Sequence, residues 1–504
     1  MEAFQHLMLG FGICFQPINL LVCFIGVLVG TLVGVLPGIG PVAAISLVLP
    51  ATFKITPVQS LIMLAGIYYG AMYGGSTTSI LVNVPGEAAS VVTCLDGYQM
   101  ARQGRAGPAL GIAAFGSFIA GTFGVIGLVF LAPPLAEIAL KFGPPEYFSL
   151  VILGVTLVSY LGGGSLIKDL MMATVGLLLA SIGTDIMTGA QRFTFGVIEI
   201  AEGWGLVPVV MGLFGISEVL VNIEQELKTS SIVEGKIKNL LPNLKDWRDS
   251  KWPIIRGSIL GFFIGILPGG GALISSFASY AIEKKVSKHP EKFGKGAIEG
   301  VAGPESANNS AAQAAFIPLL TLGIPANAVM AILLGALMIH GITPGPLLME
   351  KYPDLFWGTI ASMYVGNGML LILNLPLIGI WVQILKVPYP ILFPLILLFC
   401  LIGSYSINNM VMDVLVMVVF GLVGYLMKKT NFSGAPLILA FVLGPMLEDN
   451  LRRSLIMSYG HFNIFYTRPI SAIFIITALI ILVSSIIKIK GRKVIPIPPK
   501  SEDD

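Results

Sequence analysis

Two stretches of the sequence place uncharged hydrogen-bonding side chains inside long apolar runs. The first is Tyr68-Tyr-Gly-Ala-Met-Tyr73-Gly-Gly-Ser76-Thr77-Thr78-Ser79-Ile-Leu-Val-Asn83, and the second is Gly303-Pro-Glu305-Ser306-Ala-Asn308-Asn309-Ser310. A buried polar group without a partner costs about 1–3 kcal/mol, so such clusters serve helix packing or a ligand. Ser and Thr hydroxyls and Asn amides can hold a carboxylate. Asn oxygens and backbone carbonyls freed at helix breaks suit a hard cation such as Na⁺. Taken singly, Ser79 and Ser306 read as packing residues, since small polar side chains are common between membrane helices. Thr77–Thr78 and Asn308–Asn309 read as a site. Adjacent Asn residues point to different faces of a helix, so at least one is oriented inward.

Glu87 and Glu305 lie beside these clusters. Acids within a membrane are costly and usually functional, so both are candidates for cation coordination or proton coupling. Glu137, Asp185, Glu202 and Glu218 sit nearer apparent helix ends and read as interfacial. Arg102 and Arg105 could attract anions, but read first as loop charges. The four His residues lack metal-ligand spacing, and Cys14, Cys23, Cys94 and Cys400 read as small packing residues. The sequence has no GxxxxGK[ST], no HExxH and no assembled Ser/His/Asp set. Nothing points to an enzyme. No metal site is firm, Na⁺ near Asn308 and Asn309 being the one candidate, and no cofactor is expected beyond a coupling ion, Na⁺ or H⁺.

Each cluster adjoins helix-breaking sequence. Gly34-Val-Leu-Pro37-Gly38-Ile-Gly40 matches Gly265-Ile-Leu-Pro268-Gly269-Gly-Gly271, with Pro37 and Pro268 lying 231 positions apart. Val84-Pro85-Gly86-Glu87-Ala88 then corresponds to Ile324-Pro325-Ala326-Asn327-Ala328, with Pro85 and Pro325 lying 240 apart. A lysine-rich loop after Tyr280 absorbs the difference. Paired interruptions in two halves are the best sequence pointer to a transporter binding site. Helix N-termini at the breaks add N–H donors and positive dipole ends. Whether the halves are inverted depends on an odd number of crossings between them.

The elements that must position these residues are membrane helices. The 504 residues are 55% hydrophobic and 11% charged, with mean hydropathy +0.88; a soluble domain carries roughly 25% charged residues. The 59 Gly and 32 Pro inside apolar runs point to broken helices, tolerated where protein or a water-filled cavity re-satisfies the backbone. The runs are continuous rather than alternating, which excludes a barrel. A net charge of +3, scattered, argues against nucleic acid. The N-terminus lacks a basic n-region, so a cleaved signal peptide is not expected. The basic stretches 224–256 and 284–295 and the C-terminal tail read as cytoplasmic by the positive-inside rule. The segment 257–282 between the first two would then enter and leave on one side. With arms of ~13 residues, about 20 Å, it reads as a re-entrant hairpin. The expected architecture is an all-α polytopic membrane protein of about ten to twelve transmembrane helices in two pseudo-repeats with broken or re-entrant hairpins. Residues 10–223 form the first repeat, 224–255 a cytoplasmic basic linker, 256–490 the second repeat with C-terminal helices, and 491–504 a polar cytoplasmic tail.

The sequence resembles the large membrane subunit of the tripartite tricarboxylate transporters over about residues 5–490. The motifs are GVLPGIGP (34–41), YYGAMYGGSTTSILVNVPGE (68–87), GILPGGG (265–271), GPESANNSAAQ (303–313) and TLGIPANAVMAILLGALMIHGITPGP (321–346). The resemblance implies a translocation subunit in a bacterial inner membrane, importing citrate-like tricarboxylates or related organic acids and driven by an ion gradient. It implies a periplasmic solute-binding protein and a small membrane subunit of about four spans as partners. The family's Gly/Pro breaks and Asn/Ser clusters map onto Pro37, Gly38, Gly40, Ser76–Ser79, Pro268, Gly269, Gly271 and Asn308–Ser310. Other readings are a permease of this class for a dicarboxylate or aromatic acid, an anion channel, and an intramembrane enzyme, which lacks any motif here.

Overall fold

The computed structural model describes residues 2–36, 39–161, 165–185, 187–224, 240–385 and 389–491. These are almost entirely helical. The strands among the described residues, Gly183–Thr184 and Gln191–Arg192, pair antiparallel as a two-residue ribbon. The first half contains α1 (Glu2–Cys14), α2 (Pro17–Val35), α3 (Gly40–Thr52), α4 (Pro57–Val82), α5 (Val91–Arg102), α6 (Ala106–Ala139), α7 (Pro144–Leu161), α8 (Leu166–Ala180) and α9 (Leu206–Glu224). The second contains α10 (Leu244–Ile266), α11 (Gly271–Val286), α12 (Glu299–Ala314), α13 (Phe316–Leu322), α14 (Ala328–Ile339), α15 (Pro353–Asn374), α16 (Tyr389–Asn408), α17 (Val411–Lys429), α18 (Gly434–Met457) and α19 (Pro469–Gly491).

Five of the described helices are long and apolar enough to cross a bilayer alone: α2, α6, α9, α15 and α17. The helices carrying the polar clusters, α4 and α12, are not among them. Large apolar side chains lie exposed in stripes of helical spacing: Ile119, Phe123, Ile126 and Phe130 on α6; Ile255, Ile259 and Phe263 on α10; Leu415, Val419, Leu422 and Leu426 on α17. In water such stripes would aggregate; in lipid they are the solvated surface.

Within each half a glycine stripe fixes how the hairpin arm meets its partner helix. A Cβ at Gly26, Gly30 or Gly34 of α2 would lie 2.4, 2.5 or 2.3 Å from the carbonyl oxygens of Met63, Ile67 and Ala71 on α4. At Gly257, Gly261 or Gly265 of α10 it would lie 2.4, 2.2 or 2.5 Å from those of Gly303, Ala307 and Ala311 on α12. The glycines are 231 positions apart and the carbonyls 240, matching the two sequence offsets. Such close backbone approach is the membrane solution to helix packing without a hydrophobic drive. The halves also interlock, for α6 packs on α10 and α12, and α15 on α2 and α4.

The second hairpin departs from expectation. Its first arm starts at Leu244 rather than Gly257, because Asn243 and Asp246 form a capping box that captures two N–H donors otherwise orphaned at a helix start. The last part of the expected linker, 244–255, is therefore helical. The arms have 23 and 16 residues, longer than the ~13 that the loop charges suggested.

Helix α6, 34 residues and about 51 Å long, marks two ends of the molecule. At its start Arg105 pairs with Asp246, and Gln103 donates to the Lys295 carbonyl at 2.7 Å. That face carries Lys245, Arg248, Lys284 and Lys285 near the base of the second hairpin. The far end of α6, at Ala139, lines one cavity with Pro344, Tyr352, Glu448 and Arg453. The base of the first hairpin lies toward that far end: Phe53 stands edge-on to His340, and Val58 neighbours Gly358.

Candidate functional site

Helix α4 starts on a Thr56–Gln59 capping box with Pro57 in its first turn, and its residues are buried from Leu64 to Leu81. It stops at Asn83, whose left-handed φ of 60° turns the chain out. Asn83 is exposed and ends the helix. Thr78 Oγ1 donates to the Val35 carbonyl at 2.7 Å, satisfying an end carbonyl of α2. Ser79 donates to the Ser90 carbonyl at 3.0 Å. Gly86 packs against α2, where a Cβ would come within 1.8 Å of the Gly34 carbonyl oxygen. Pro37 and Gly38 lie outside the described residues; Gly40 follows with φ 65° and open space around it.

In the second half α13 stops at Gly323, φ 70°, and α14 begins after the N-cap Asn327, whose Oδ1 accepts from the Met330 N–H at 3.0 Å. The Gly269 N–H donates to the Ala326 carbonyl at 2.7 Å, joining the LPGGG turn to the break at Pro325. Pro268 is half-buried in that turn, and Gly269 and Gly271 take φ 80° and 52°.

Two acids sit where the halves meet. Glu305, fully buried, accepts from Ser76 Oγ on one oxygen and Thr93 Oγ1 on the other. Glu87 caps the short turn Ala88–Ser90: one oxygen accepts from the Ala89 N–H at 2.6 Å, and the other from Asn308 Nδ2 at 3.4 Å. Asn309 Nδ2 donates to Ser117 Oγ on α6 at 2.7 Å and to the Glu305 carbonyl at 3.0 Å. Ser310 donates to the Ser258 carbonyl at 2.7 Å, a packing bond between α12 and α10. Tyr73 donates to Asn367 on α15.

Many of the donors in this cluster are committed within the protein. What is left over is three amide oxygens and the Ser306 hydroxyl. Asn308 Oδ1, Asn309 Oδ1, Gln313 Oε1 and Ser306 Oγ, all on α12, are buried with no hydrogen-bond partner among the described residues. Beside them a chamber of about 10 Å³ is lined by Tyr73, Ser76, Thr77, Ser117 and Asn374 among others. That volume admits about one water-sized particle.

Sequence reasoning did not single out Thr93, Ser117, Gln313 or Asn367. Nothing local marks the first two, lone hydroxyls in ordinary apolar helices. It also passed over the glycine stripes, although their four-residue spacing and common offset of 231 are readable. Arg105, weighed as an anion attractor, is taken up by Asp246. Glu218 pairs with Lys428, as an interfacial acid does. Among the described residues no group of three or more His, Cys, Asp or Glu could hold a metal ion.

The arrangement of broken helices, paired hairpins and buried polar residues has relatives. The family model described as tripartite tricarboxylate transporter TctA family matches residues 20–439. The uncharacterized 52.8 kDa protein in the TAR-I ttuC′ 3′ region of Agrobacterium vitis is 54% identical over 472 residues, 94% of each chain. The uncharacterized protein in the TAR-II ttuC′ 3′ region of the same organism is 58% identical over 212 residues, 42% of this chain and 88% of that one. No solved structure matches. With a family match over most of its length, on a fold of helices that bury two polar breaks, this chain belongs to the TctA family, as the large membrane subunit of a tripartite tricarboxylate transporter.

Proposed function

We propose that the chain takes a tricarboxylate or related organic acid from a periplasmic binding protein and carries it across the bacterial inner membrane together with a cation, Na⁺, held at the α12 acceptors. The observation that carries this reading is the set of three buried amide oxygens without donors, on Asn308, Asn309 and Gln313. Orphaned acceptors in a low-dielectric interior are costly, and a hard cation is the ligand that satisfies oxygen alone. Glu305 and Glu87 supply countercharge. H⁺ coupling remains the competing assignment, with Glu87 or Glu305 as the carrier.

The repeats are read as inverted. Supporting this, the first hairpin base lies with His340 and Gly358, toward the far end of α6, while the second lies with Arg105 at its start. The positive-inside rule makes the Arg105 face cytoplasmic. Sites carried on facing hairpins suit an elevator or rocking motion of one bundle against a scaffold. A small membrane subunit of about four spans completes the complex. A dicarboxylate or aromatic acid would use the same machinery.

The test is uptake of radiolabelled citrate into proteoliposomes holding this chain and its small subunit, with binding protein outside and Na⁺ and H⁺ gradients imposed separately. Uptake needing the binding protein and the Na⁺ gradient, and lost in Asn308→Ala with Asn309→Ala, is the expected result. Uptake driven by H⁺ alone would remove the cation assignment. Gradient-independent equilibration would make the chain a channel.

A further inference from the structure

The two hairpins bury their second arms in opposite ways. In the first hairpin, α3 packs on α4, α9, α14 and α16 and buries Ile45 and Leu49 completely. In the second, α11 packs on α10, on α12 and on the Ala88–Ser90 turn that Glu87 caps. Its buried residues are Gly271, Ala272, Ser275, Ser276, Ser279 and Glu283, none a large apolar side chain. Leu273, Phe277, Ile282 and Val286 of the same helix are exposed. At the offset of 231 set by the LPGxG turns, Ser275, Ser276 and Ser279 stand where the first hairpin has Ala44, Ile45 and Val48.

The serine face is only partly satisfied. Ser275 Oγ donates to the Gly271 carbonyl of its own helix at 2.8 Å, and Ser276 Oγ to the Pro304 carbonyl of α12 at 3.2 Å. Ser279 Oγ is buried with no hydrogen-bond partner among the described residues. It lies 2.9 Å from where a Cβ on Gly303 would stand, so it faces α12. At the end of this seam Arg256 of α10 donates to both oxygens of Glu283, at 2.8 and 2.5 Å. The arginine side chain is 36% exposed and the acid 2%, so water meets the seam there. By the positive-inside rule that end is cytoplasmic. An apolar seam gains from excluding water, whereas a buried hydroxyl without a partner is costly and recovers hydrogen bonds when wetted. On the other side of the cluster α12 runs into α13, where Phe316, Ile317, Leu319 and Leu320 are wholly buried.

We propose that α11 is the cytoplasmic door of the polar junction, and that a monovalent cation leaves Glu87, Glu305 and Asn308 along its serine face as α11 parts from α12. In the packed form the serines lie against α12 with too few partners. In the parted form their hydroxyls meet water or the passing ion. The glycine stripe that seats α10 on α12 stays closed, so the second arm alone moves. The first hairpin, with Ile45 and Leu49 seated, keeps its arm in place. This rests on the cation reading above for what passes, but not for which arm opens.

The experiment uses the full chain with its small subunit, the four native cysteines of the chain replaced by alanine, in inside-out and right-side-out vesicles. A single cysteine is placed by Ser275→Cys or by its counterpart Ala44→Cys, both small and buried positions. Ag⁺, a monovalent cation that binds thiols, is added on one side in nitrate medium. The thiols left are counted with a mass-tagged maleimide after denaturation. Thiol reactivity follows access, so Ser275→Cys should be consumed from the cytoplasmic side about tenfold faster than from outside, and about tenfold faster than Ala44→Cys from either side. Na⁺ should slow that reaction where K⁺ and choline do not, because an ion on the cluster favours the packed form. Ser279→Cys reads the same face if Ser275→Cys folds poorly. Equal rates at Ser275→Cys and Ala44→Cys, or faster reaction from outside, would overturn the proposal even where Na⁺ drives uptake. Cytoplasmic reaction that Na⁺, K⁺ and choline leave alike would keep the door and sink Na⁺ as what passes it.

Discussion

The first break stops α4 on Asn83 at φ 60° and restarts on Glu87, and the second stops α13 on Gly323 at φ 70° and restarts on Asn327. Both pairs lie 240 positions apart. Each restart residue also reaches across to the long helix of the other half. Glu87 accepts from Asn308, and Asn327 donates to Tyr68 Oη at 3.1 Å; Tyr68 and Asn308 are again 240 apart. The backbone plan is shared down to single hydrogen bonds, but the charge is not. The first junction pairs a carboxylate with an amide, the second an amide with a phenol. Glu305 has Ala65 as its counterpart, so both acids gather at one junction. The repeat supplies a scaffold, and a few substitutions gather two acids at one junction while the other has none.

The largest expected effect tests the scaffold. Gly261→Ala places a methyl 2.2 Å from the Ala307 carbonyl oxygen, and Gly30→Ala places one 2.5 Å from that of Ile67. Overpacking of this kind costs about 1–3 kcal/mol, and both variants should lose much of their monodisperse protein on size exclusion. Tolerance at one and not the other would break the equivalence.

Next come the acids. Glu305→Gln replaces an acid that accepts two hydroxyls with an amide whose single oxygen leaves one buried hydroxyl unpaired, at about 1–3 kcal/mol, and should cut coupled uptake roughly 100-fold. Asn327→Ala removes a helix cap, about 1 kcal/mol, and one neutral hydrogen bond to Tyr68, and should cost a few-fold. A larger loss at Asn327 than at Glu305 would reverse the assignment of roles. Ser117→Ala takes away the acceptor that orients Asn309, and should raise the Na⁺ concentration for half-maximal uptake about tenfold, near 1.4 kcal/mol.

The smaller effects lie outside the junctions. Asp185 is held well below the usual carboxylate range by the Thr188 hydroxyl and then by Arg452. A depressed folded value means that the Asp185–Arg452 pair is intact above about pH 4, the ordinary Asp range, and weakens only as pH falls through the lower value. The difference in melting temperature between the native chain and Asp185→Asn should therefore be flat from pH 5 to 8. Arg105→Gln removes a partly exposed pair with Asp246 and should lower stability by about 1 kcal/mol or less, with the difference fading at high salt.

Much of this was legible in the sequence where a signal is local. The LPGxG and V/I-P phrases mark the breaks because Pro and Gly cannot continue a helix. Asn308–Asn309, Glu87 and Glu305 stand out because polar side chains are rare in apolar runs. The first arm of the second hairpin was misread because Lys245, Arg248 and Lys251 look like a loop, whereas a helix can hold them on its exposed face once Asn243 caps it. Thr93 and Ser117 were invisible, since each joins the cluster only by meeting α12 across about 200 residues of chain. The balance of donors and acceptors was not readable either. Composition counts both in every Asn, and only the fold decides which atom is left over.

The most direct test is the melting temperature of the purified chain titrated with Na⁺, against K⁺ and choline at equal ionic strength. A ligand that binds only the folded state raises stability with its concentration. The account predicts a saturable rise with Na⁺ alone, lost in Asn308→Ala and Asn309→Ala. Identical curves for the three cations, with the variants unchanged, would contradict a cation site on α12.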